Sequence, residues 1–481
     1  MASLDANFYQ GWHNRRFTIN QLEDSATHGS PPERLLQQIW QHQRILRERL
    51  QTADGRKLKI LHPGFWNHEA GPDFKSAIIQ LDDAPPSEGD IEIDISPQFW
   101  RGHGHQANPA YERVILHVLW EPGAARGENL PTLFLKEFLD APFGELTQWL
   151  AGESATDSTT VPGVCSAPLS ALEPDTFRDL LNQAALVRMK RKAHLFEVRA
   201  RHRGWEQSLW EGLFSGLGYK KNVWPMKRLA EMTPEVMRGI GSALQVQARL
   251  LGLGGFLPAE ARKTARAVDP YVRNLWELWW RDVSQFDGQV FPNSVWKLSN
   301  MRPANNPARR LALAAHWLQS GNLVEKLTEW LHSFVPDVRL VDSLTSVLQA
   351  EDPFWGGRWT FRGAMLKQPQ PLLGAQRVTD LAVNVVLPWF WSRASAGKNS
   401  ALLAEIERRY FAWPAAEDNA VLRLARQRLL QGRHSKLFRH AFAQQGLIQI
   451  VRDFCDHSNA LCEHCRFPEL VSAVKQQLLA T

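Results

Sequence analysis

The fold of the N-terminal region depends on two short stretches, Gly71-Pro-Asp-Phe74 and, one strand and one loop later, Gly89-Asp-Ile-Glu-Ile-Asp94. Asp73 is expected to begin one strand, and Glu92 and Asp94 share a face of the next because strand side chains alternate. If the two strands form a hairpin, the three carboxylates converge at one end of the sheet. Carboxylates this close repel one another unless a cation lies between them, and hard oxygen ligands suit Mg²⁺ or Mn²⁺. Such an ion could polarise a phosphodiester and lower the pKa of an attacking water.

The surrounding sequence predicts one helix and then short strands. Apolar residues at helical spacing predict a helix over 33–50. Apolar runs bounded by Gly, Pro and Asp predict strands at 57–61, 76–81, 90–96 and 114–120, with 133–138 a candidate for one more. The predicted order is helix, three strands, a connecting segment with at most one helix, and another strand. This order indicates an α+β domain.

The αβββαβ order, with Pro72-Asp73 at the second strand and Glu92-Ile93-Asp94 on the third, resembles the PD-(D/E)XK nuclease fold. The resemblance implies that Asp73 and Glu92 hold a catalytic Mg²⁺ or Mn²⁺ ion, with Asp94 as a third ligand or a site carboxylate. Glu33 matches an extra acid that many such nucleases carry on the first helix. In that family a lysine, thought to position or deprotonate the attacking water, occupies the place of Asp94.

Other basic residues could replace this lysine. His103 and His105 lie just beyond the third strand, where several nucleases of this fold carry a migrated basic residue, and either is a candidate base or charge stabiliser. Arg101 beside them is a candidate nucleic-acid contact, and Lys75 is another substitute cation. The alternative is that these acids form an ordinary solvated strand end.

A second resemblance covers most of the chain. It rests on the motifs Thr52-Ala-Asp-Gly-Arg56, His62-Pro-Gly-Phe-Trp-Asn67, Gly71-Pro-Asp-Phe74, Gly89-Asp-Ile-Glu-Ile93, His103-Gly-His105 and Tyr111-Glu-Arg-Val-Ile-Leu-His-Val118. These are similar to an uncharacterised bacterial family, domain-of-unknown-function family 2851, which implies no particular activity. In that family's pattern the third strand reads Val-Glu-Ile-His, so Asp94 replaces a histidine here. His117 either faces the same site or is a buried core histidine.

Composition along the chain predicts two domains. An α/β domain is expected over 1–150, a linker of small polar residues over 151–164, and a larger all-helical domain over 165–481. In the helical domain, Trp210 to Leu217 follow helical spacing and Pro307 is expected to begin another helix. No repeat of fixed period occurs, which argues against a solenoid.

Three of the four cysteines lie close together as Cys455-x6-Cys462-x2-Cys465. A Cys-x2-Cys pair can hold one metal from a single turn, so this cysteine knuckle predicts a structural Zn²⁺ or an iron–sulfur cluster. The spacing resembles the first three ligands of the iron–sulfur loop in helix-hairpin-helix DNA glycosylases, whose fourth cysteine is missing here. Cys165, His457 or His464 could supply the fourth ligand. The alternative is three reduced thiols in a terminal loop.

Two basic segments are candidate nucleic-acid contacts. Residues 188–203 hold seven Lys and Arg against one acid. The first four of these are Arg188, Lys190, Arg191 and Lys192. They cannot all share one helix face, so the segment either follows phosphates or is a solvated, partly ion-paired helix. Arg302 and Arg309, at a predicted helix N-terminus, form a reasonable phosphate-binding arrangement, with helix capping as the alternative.

Length and composition limit the remaining possibilities. A chain of 481 residues is too long for one core, and 44% apolar with 22% charged residues is typical of a globular protein rather than a disordered one. The net charge of +6 fits a polyanionic partner such as DNA or RNA. We expect a cytoplasmic protein, because no run of about 18 apolar residues predicts a membrane span, no secretory signal is recognisable, and the few cysteines fit a reducing compartment.

Two functions remain open at this point. The first is a Mg²⁺- or Mn²⁺-dependent nuclease or nucleic-acid-processing hydrolase. The second is a non-catalytic nucleic-acid-binding or scaffold protein that retains the nuclease-like fold without the lysine. In a weaker third possibility, His103 and His105 bind a transition metal together with the acids Asp73, Glu92 and Asp94, and the metal supports other hydrolytic chemistry.

Overall fold

The structure is a computed structural model and describes residues 4–14, 31–67, 71–102, 108–120, 130–144, 146, 163–219, 221–257, 269–298, 301–430, 436–455 and 465–480. The expected α+β class is confirmed, with a sheet near the N-terminus and helices after it. The chain divides into two units. The first comprises residues 1–187, 419–434 and 445–481, and the second comprises 188–418 and 435–444. No helix in the described ranges combines the length and apolarity needed to cross a membrane.

The first unit contains a six-stranded sheet. Its strands are β1 (Leu58–His62), β2 (Phe65–Trp66), β3 (Phe74–Leu81), β4 (Ser87–Asp94), β5 (Val114–Leu119) and β6 (Thr132–Phe134). The order across the sheet is β1-β3-β4-β5-β6, and β2 also pairs with β3. Strands β1, β3 and β4 form an antiparallel meander, whereas β5 is parallel to β4 and β6 to β5.

Helices precede, interrupt and follow the sheet. In chain order they are α1 (Glu33–Gln41), α2 (Pro97–Gly102), α3 (Ser166–Ser170), α4 (Pro174–Arg203), α5 (Trp205–Leu217), α6 (Val223–Glu231), α7 (Thr233–Val236), α8 (Ala243–Leu253), α9 (Pro270–Asp282), α10 (Pro307–Ser320), α11 (Leu323–His332), α12 (Leu340–Leu348), α13 (Pro353–Gly356), α14 (Ala375–Leu381), α15 (Leu387–Ala396), α16 (Ser400–Ala412), α17 (Ala420–Leu430), α18 (Ala441–Ile450) and α19 (Phe467–Ala480). Helix α10 begins at Pro307 as expected. The unit boundary at 187 falls within α4.

Helix α1 packs against β4. Its apolar side chains lie on one stripe, so Leu36, Ile39 and Trp40 are fully buried. The Trp40 indole Nε1 donates a hydrogen bond to the Pro63 carbonyl at 2.9 Å, which ties the helix to the loop after β1. The predicted helix over 33–50 ends at Gln41 because Gln43 adopts a φ of 49°, which a continuing right-handed helix does not allow.

A bulge in β3 sets the register of the β3–β4 hairpin. Ser76 has a φ of 56°, and the pairing shifts between Phe74 and Ala77. The Ser76 N–H donates to Asp90 Oδ1 at 3.0 Å instead of extending the regular ladder. Phe74 consequently pairs with Ile91, which brings the residue before β3 to the end of β4 that carries Glu92 and Asp94.

The predicted strands overlap β1, β3, β4 and β5, and the candidate at 133–138 overlaps β6, whereas the two-residue β2 was not predicted. Residues 151–162 of the predicted linker lie outside the described residues. The second unit is helical. A π-helix (Ala382–Val386) interrupts the run of helix from α14 to α15.

Candidate active site

Asp73 and Glu92 are joined through the backbone. The Asp73 N–H donates to Glu92 Oε2 at 3.1 Å. In return, the N–H of Ile93 donates to Asp73 Oδ2 at 3.0 Å. The two acids predicted from the sequence therefore meet at one end of the β3–β4 hairpin, and Glu92 is only 6% exposed.

Helix α1 contributes two more polar side chains to this end of the sheet. The amide Nε2 of Gln37 donates to Asp73 Oδ1 at 2.8 Å and to Glu33 Oε1 at 3.0 Å. Glu33 therefore lies beside the acids of the sheet. Gln37 is a site residue that the sequence reasoning missed. Its spacing of four from Glu33 puts both on one helix face, but nothing local indicates that Asp73 lies opposite.

The pKa values of the central acids are strongly raised. Burial raises the pKa of Asp73 from 3.8 to about 7, with added repulsion from Glu33 and Asp94. Burial raises the pKa of Glu92 from 4.5 to about 9, with added repulsion from Asp73, Asp94 and Glu33. Near neutral pH this group of acids is therefore stable only with bound protons or a bound cation.

Asp94 pairs with a histidine. Its Oδ2 lies 2.9 Å from Nε2 of His117, and the residues are 1% and 5% exposed. In the parallel β4–β5 ladder His117 is the register partner of Glu92, so this buried histidine lies next to the acids. The expected role of Asp94 as a third metal ligand is thus in competition with its bond to His117.

Aromatic residues and a tight loop border the acids. Burial and the charges of Glu92, Asp73, Asp94 and Glu33 raise the pKa of Tyr111 to about 12, so its phenol remains a hydrogen-bond donor at neutral pH. Tyr111 packs edge-on against Trp100, and the Trp100 ring lies 4.9 Å from the His117 ring. Asn67 fixes the loop before Asp73 by donating its amide to the Pro72 carbonyl at 3.0 Å.

The donor set matches a hard divalent cation, because Glu33, Asp73 and Glu92 supply carboxylate oxygens. As placed, however, no group of three or more His, Cys, Asp and Glu among the described residues is arranged to hold a metal ion. The oxygens of Asp73 and Glu92 are turned toward backbone N–H groups and Gln37 instead. Metal binding therefore requires these carboxylates to turn unused lone pairs toward a common point, which Asp73 can do while it still accepts the hydrogen bond from Gln37.

The candidate substitutes for the missing lysine are only partly described. His103 and His105 lie outside the described residues, as does the side chain of Arg101. Lys75 is exposed on β3.

The basic residues of α4 do not form one exposed stripe. Arg188 is only 8% exposed. Lys190, Arg191 and Lys192 are half-buried, with the Lys190 ammonium 5.9 Å from the ring centroid of Trp391. This arrangement argues against a continuous phosphate-binding face along the helix.

Arg302 and Arg309 differ in accessibility. Arg302 is exposed and donates to both carboxylate oxygens of Glu417 at 2.9 and 2.8 Å. Arg309 is 1% exposed and donates to the backbone carbonyls of Trp355, Gln370, Pro371 and Leu372. The structure therefore corrects the nucleic-acid prediction for Arg309, because its guanidinium is used internally to hold a loop.

Two of the four cysteines can be placed. Cys165 is buried just before α3, and Cys465 lies just before α19, with its Sγ 3.7 Å from the Phe454 carbonyl oxygen. Helices α3 and α19 pack against each other within the first unit. Cys462 and the side chain of Cys455 lie outside the described residues.

Comparison with known proteins identifies a family for this chain. The model of a family described as protein of unknown function, DUF2851, matches residues 33–419, from α1 to just before α17. No curated protein and no solved structure is significantly similar to the chain. Because the match covers most of the sequence, this chain belongs to the DUF2851 family.

Proposed function

We propose that this protein is a metal-dependent phosphodiester hydrolase acting on nucleic acid, with its active site at Asp73 and Glu92. The observation that carries the proposal is the burial of these two acids beside Glu33 and Asp94, with pKa values raised to about 7 and about 9. Buried carboxylates with perturbed pKa values cluster at functional sites, and a divalent cation between these acids would offset their mutual repulsion.

The topology supports assigning this unit to the PD-(D/E)XK type of fold. Helix α1, the antiparallel strands β1, β3 and β4, the short helix α2 and then β5, parallel to β4, follow one another in the expected order, with the two-residue β2 between β1 and β3. Asp73 immediately precedes β3, and Glu92 lies on β4, which are the two places where the resemblance implies metal-binding acids. Fold type alone does not establish activity, so the proposal depends on the acids.

The roles of the residues follow from their positions. Asp73 and Glu92 would hold Mg²⁺ or Mn²⁺, and a cation bound there would polarise the scissile phosphate and acidify a water. Gln37 orients Asp73 and Glu33. The Asp94–His117 pair occupies the place of the lysine, and Tyr111 supplies a neutral donor at the border of the site. His103 and His105 remain candidate bases.

A second candidate function is a non-catalytic nucleic-acid-binding or scaffold protein. Two observations favour it: Asp94 stands where the lysine is expected, and the described acids are bonded to the backbone, Gln37 and His117. This candidate predicts salt-dependent binding of nucleic acid with no metal requirement.

A cleavage assay separates the two candidates. The full chain is incubated with single- and double-stranded DNA and RNA in Mn²⁺, Mg²⁺ or EDTA. We expect Mn²⁺- or Mg²⁺-dependent cleavage that Asp73→Asn and Glu92→Gln each reduce at least about 100-fold. The matched control is Glu88→Gln, at an exposed position on β4, the strand that also carries Glu92. This variant should cleave nucleic acid like the wild type. Equal cleavage by Asp73→Asn and the wild type would reject the assignment.

We also propose that Cys165, Cys455, Cys462 and Cys465 share one structural metal, either Zn²⁺ or an iron–sulfur cluster. The packing of α3 against α19, each preceded by one of these cysteines, supports the pairing of Cys165 with the C-terminal cluster. Elemental analysis and the visible spectrum of anaerobically purified protein distinguish zinc from iron. Cys165→Ser should lower the bound metal, and unchanged metal content would exclude Cys165 as a ligand.

A further inference from the structure

One loop of the second unit presents two apolar side chains almost entirely to solvent. Residues 333–339 connect α11 to α12, and within them Phe334 and Val338 are each 89% exposed. Pro336, which lies between them, is also exposed. Single exposed apolar residues are ordinary, but several on one loop are typical of an interaction surface. We call Phe334, Pro336 and Val338 the apolar tip.

Two arginines of α16 fix the backbone beneath the apolar tip. Arg409 is fully buried and donates hydrogen bonds to the carbonyls of Leu331 and Ser333 at 3.0 and 2.6 Å. Arg408 donates to the carbonyl of Val335 at 3.3 Å, and the Val335 side chain is itself buried. The loop therefore holds its apolar side chains outward in a defined conformation, which lowers the entropy lost when a partner binds.

The charged residues around the apolar tip are of both signs and are linked to one another in ion pairs. They are Asp337, Arg339, Asp342, Glu405 and Arg408. A nucleic acid or an anionic bilayer is recognised by an excess of positive charge, which this set of three acids and two cations does not provide. A protein surface that carries both signs is compatible with it. The charges therefore favour a protein partner.

The first unit contains a pocket of matching character. A cavity of about 440 Å³ lies where β3 ends and where β4 and β5 begin, with Leu81, Ser87 and Val114 in its lining. Most of the lining is apolar, and it also includes two charged residues of opposite sign, Arg56 and Asp82. The volume is in the range of pockets that enclose a ligand group. We call this cavity the strand-end pocket.

Hydrogen bonds fix the turn between β3 and β4, which forms part of the strand-end pocket. Asp82 accepts from the N–H of Lys57 at 2.8 Å, and its own N–H donates to the Lys57 carbonyl at 2.8 Å. The amide Nε2 of Gln80 donates to the carbonyl of Ala84 at 3.0 Å. The pocket is therefore formed before any partner binds. The acids of the candidate active site lie at the opposite ends of these two strands.

We propose that the apolar tip of one copy of this chain inserts into the strand-end pocket of a second copy. Phe334 enters the pocket, and each side of the contact offers one acid and one cation: Asp337 and Arg339 on the loop, Arg56 and Asp82 in the pocket. Each of these charges already has a partner in its own chain, so the affinity comes from burial of apolar surface and the charges only orient the contact.

This contact goes beyond the proposed function, because it uses neither the acids of the candidate active site nor a metal. Every copy carries one apolar tip and one strand-end pocket, so the contact is heterologous: each copy can bind one neighbour through its tip and another through its pocket.

Sedimentation velocity of the full chain in EDTA, between about 5 and 200 µM, tests the contact. We expect the sedimentation coefficient of the wild type to rise with concentration. The double variant Phe334→Ser with Val338→Ser changes only exposed side chains, and Ala84→Arg places a long charged side chain at an exposed position of the pocket. Each should weaken association at least about tenfold. Met365→Ser, at a position 72% exposed elsewhere in the second unit, is the control and should associate like the wild type.

A mixture of the two variant proteins decides whether tip and pocket bind each other. The double variant retains its pocket and Ala84→Arg retains its tip, so an equal mixture should form dimers and nothing larger, while each protein alone stays monomeric. A wild type that remains monomeric at the highest concentration overturns the inference. Wild-type association in either variant alone, or a mixture without dimers, also overturns it. None of these outcomes depends on cleavage of nucleic acid, so the inference and the proposed function can fail separately.

Discussion

The Nε2 atom of His117 lies 2.9 Å from Oδ2 of Asp94, and both side chains are buried. The pair lies beside Glu92, because His117 is the register partner of Glu92 in the β4–β5 ladder. A buried carboxylate without a hydrogen-bond partner is costly, and the imidazole supplies that partner here. Strand β5 thus provides the partner of a buried acid on the adjacent strand β4.

Asp94→Asn and His117→Gln should each destabilise the fold, because each disrupts the hydrogen bond of a buried polar partner. We expect a loss of about 1–3 kcal/mol in the free energy of unfolding, measured by urea denaturation in EDTA. The double variant should lose clearly less than the sum of the two single losses. Strictly additive losses would show that the two side chains do not interact.

Stability in EDTA should fall as the pH rises. The folded-state pKa values of Asp73 and Glu92, about 7 and about 9, lie above their ordinary values of 3.8 and 4.5, so the folded state keeps protons that the unfolded chain releases. Their contribution to stability is complete below about pH 4 and is lost as the pH rises through 7 and 9. Asp73→Asn should lessen the decline between pH 5 and 8 by roughly 1 kcal/mol or more relative to the wild type. A parallel decline in both proteins would contradict the raised pKa of Asp73.

Gln37→Ala should weaken Mn²⁺ binding about tenfold, because Glu33 and Asp73 lose the amide that orients both carboxylates. The change in unfolding free energy should stay near 1 kcal/mol, as expected for an exchange of hydrogen bonds at a half-buried position. Gln41→Ala, at the exposed end of the same helix, is the matched control. Equal Mn²⁺ affinity in both variants would remove Gln37 from the site.

Gly89→Ala tests the β4–β5 contact that positions Glu92 and His117. A Cβ at this position would lie 2.4 Å from a side-chain carbon of Ile115 and 2.6 Å from the Arg113 carbonyl oxygen. Because the oxygen belongs to the backbone, the strands must separate, at a cost of about 1–3 kcal/mol. Gly144→Ala, which meets nothing within 4 Å, should leave the urea midpoint unchanged. A wild-type midpoint for Gly89→Ala would mean that the strands are not packed this closely.

Local patterns in the sequence define much of the first unit. Strand periodicity places Glu92 and Asp94 on one face, and turn residues mark the ends of β3 and β4, so the meeting of Asp73 with Glu92 can be predicted. The hydrogen-bond partner of Asp94 cannot be predicted in the same way. It depends on the parallel register of β4 with β5, which no local sequence pattern specifies. Tyr111 likewise joins the site only through tertiary packing.

Burial of charged residues is the other property that sequence reasoning missed. Arg309 lies on the first turn of α10, where a phosphate contact is physically reasonable. In the fold its guanidinium instead donates hydrogen bonds to a loop more than 60 residues later. The acceptors are the backbone carbonyls of Gln370, Pro371 and Leu372. Short-range spacing contains no information about such a contact.

Isothermal titration of the full chain with Mn²⁺ measures whether Asp73 and Glu92 hold a divalent cation. We predict one site in the wild type and in Glu88→Gln, and a loss of affinity of at least about tenfold in Asp73→Asn and in Glu92→Gln. Absence of Mn²⁺ binding in the wild type, or undiminished binding in both acid variants, would contradict the account.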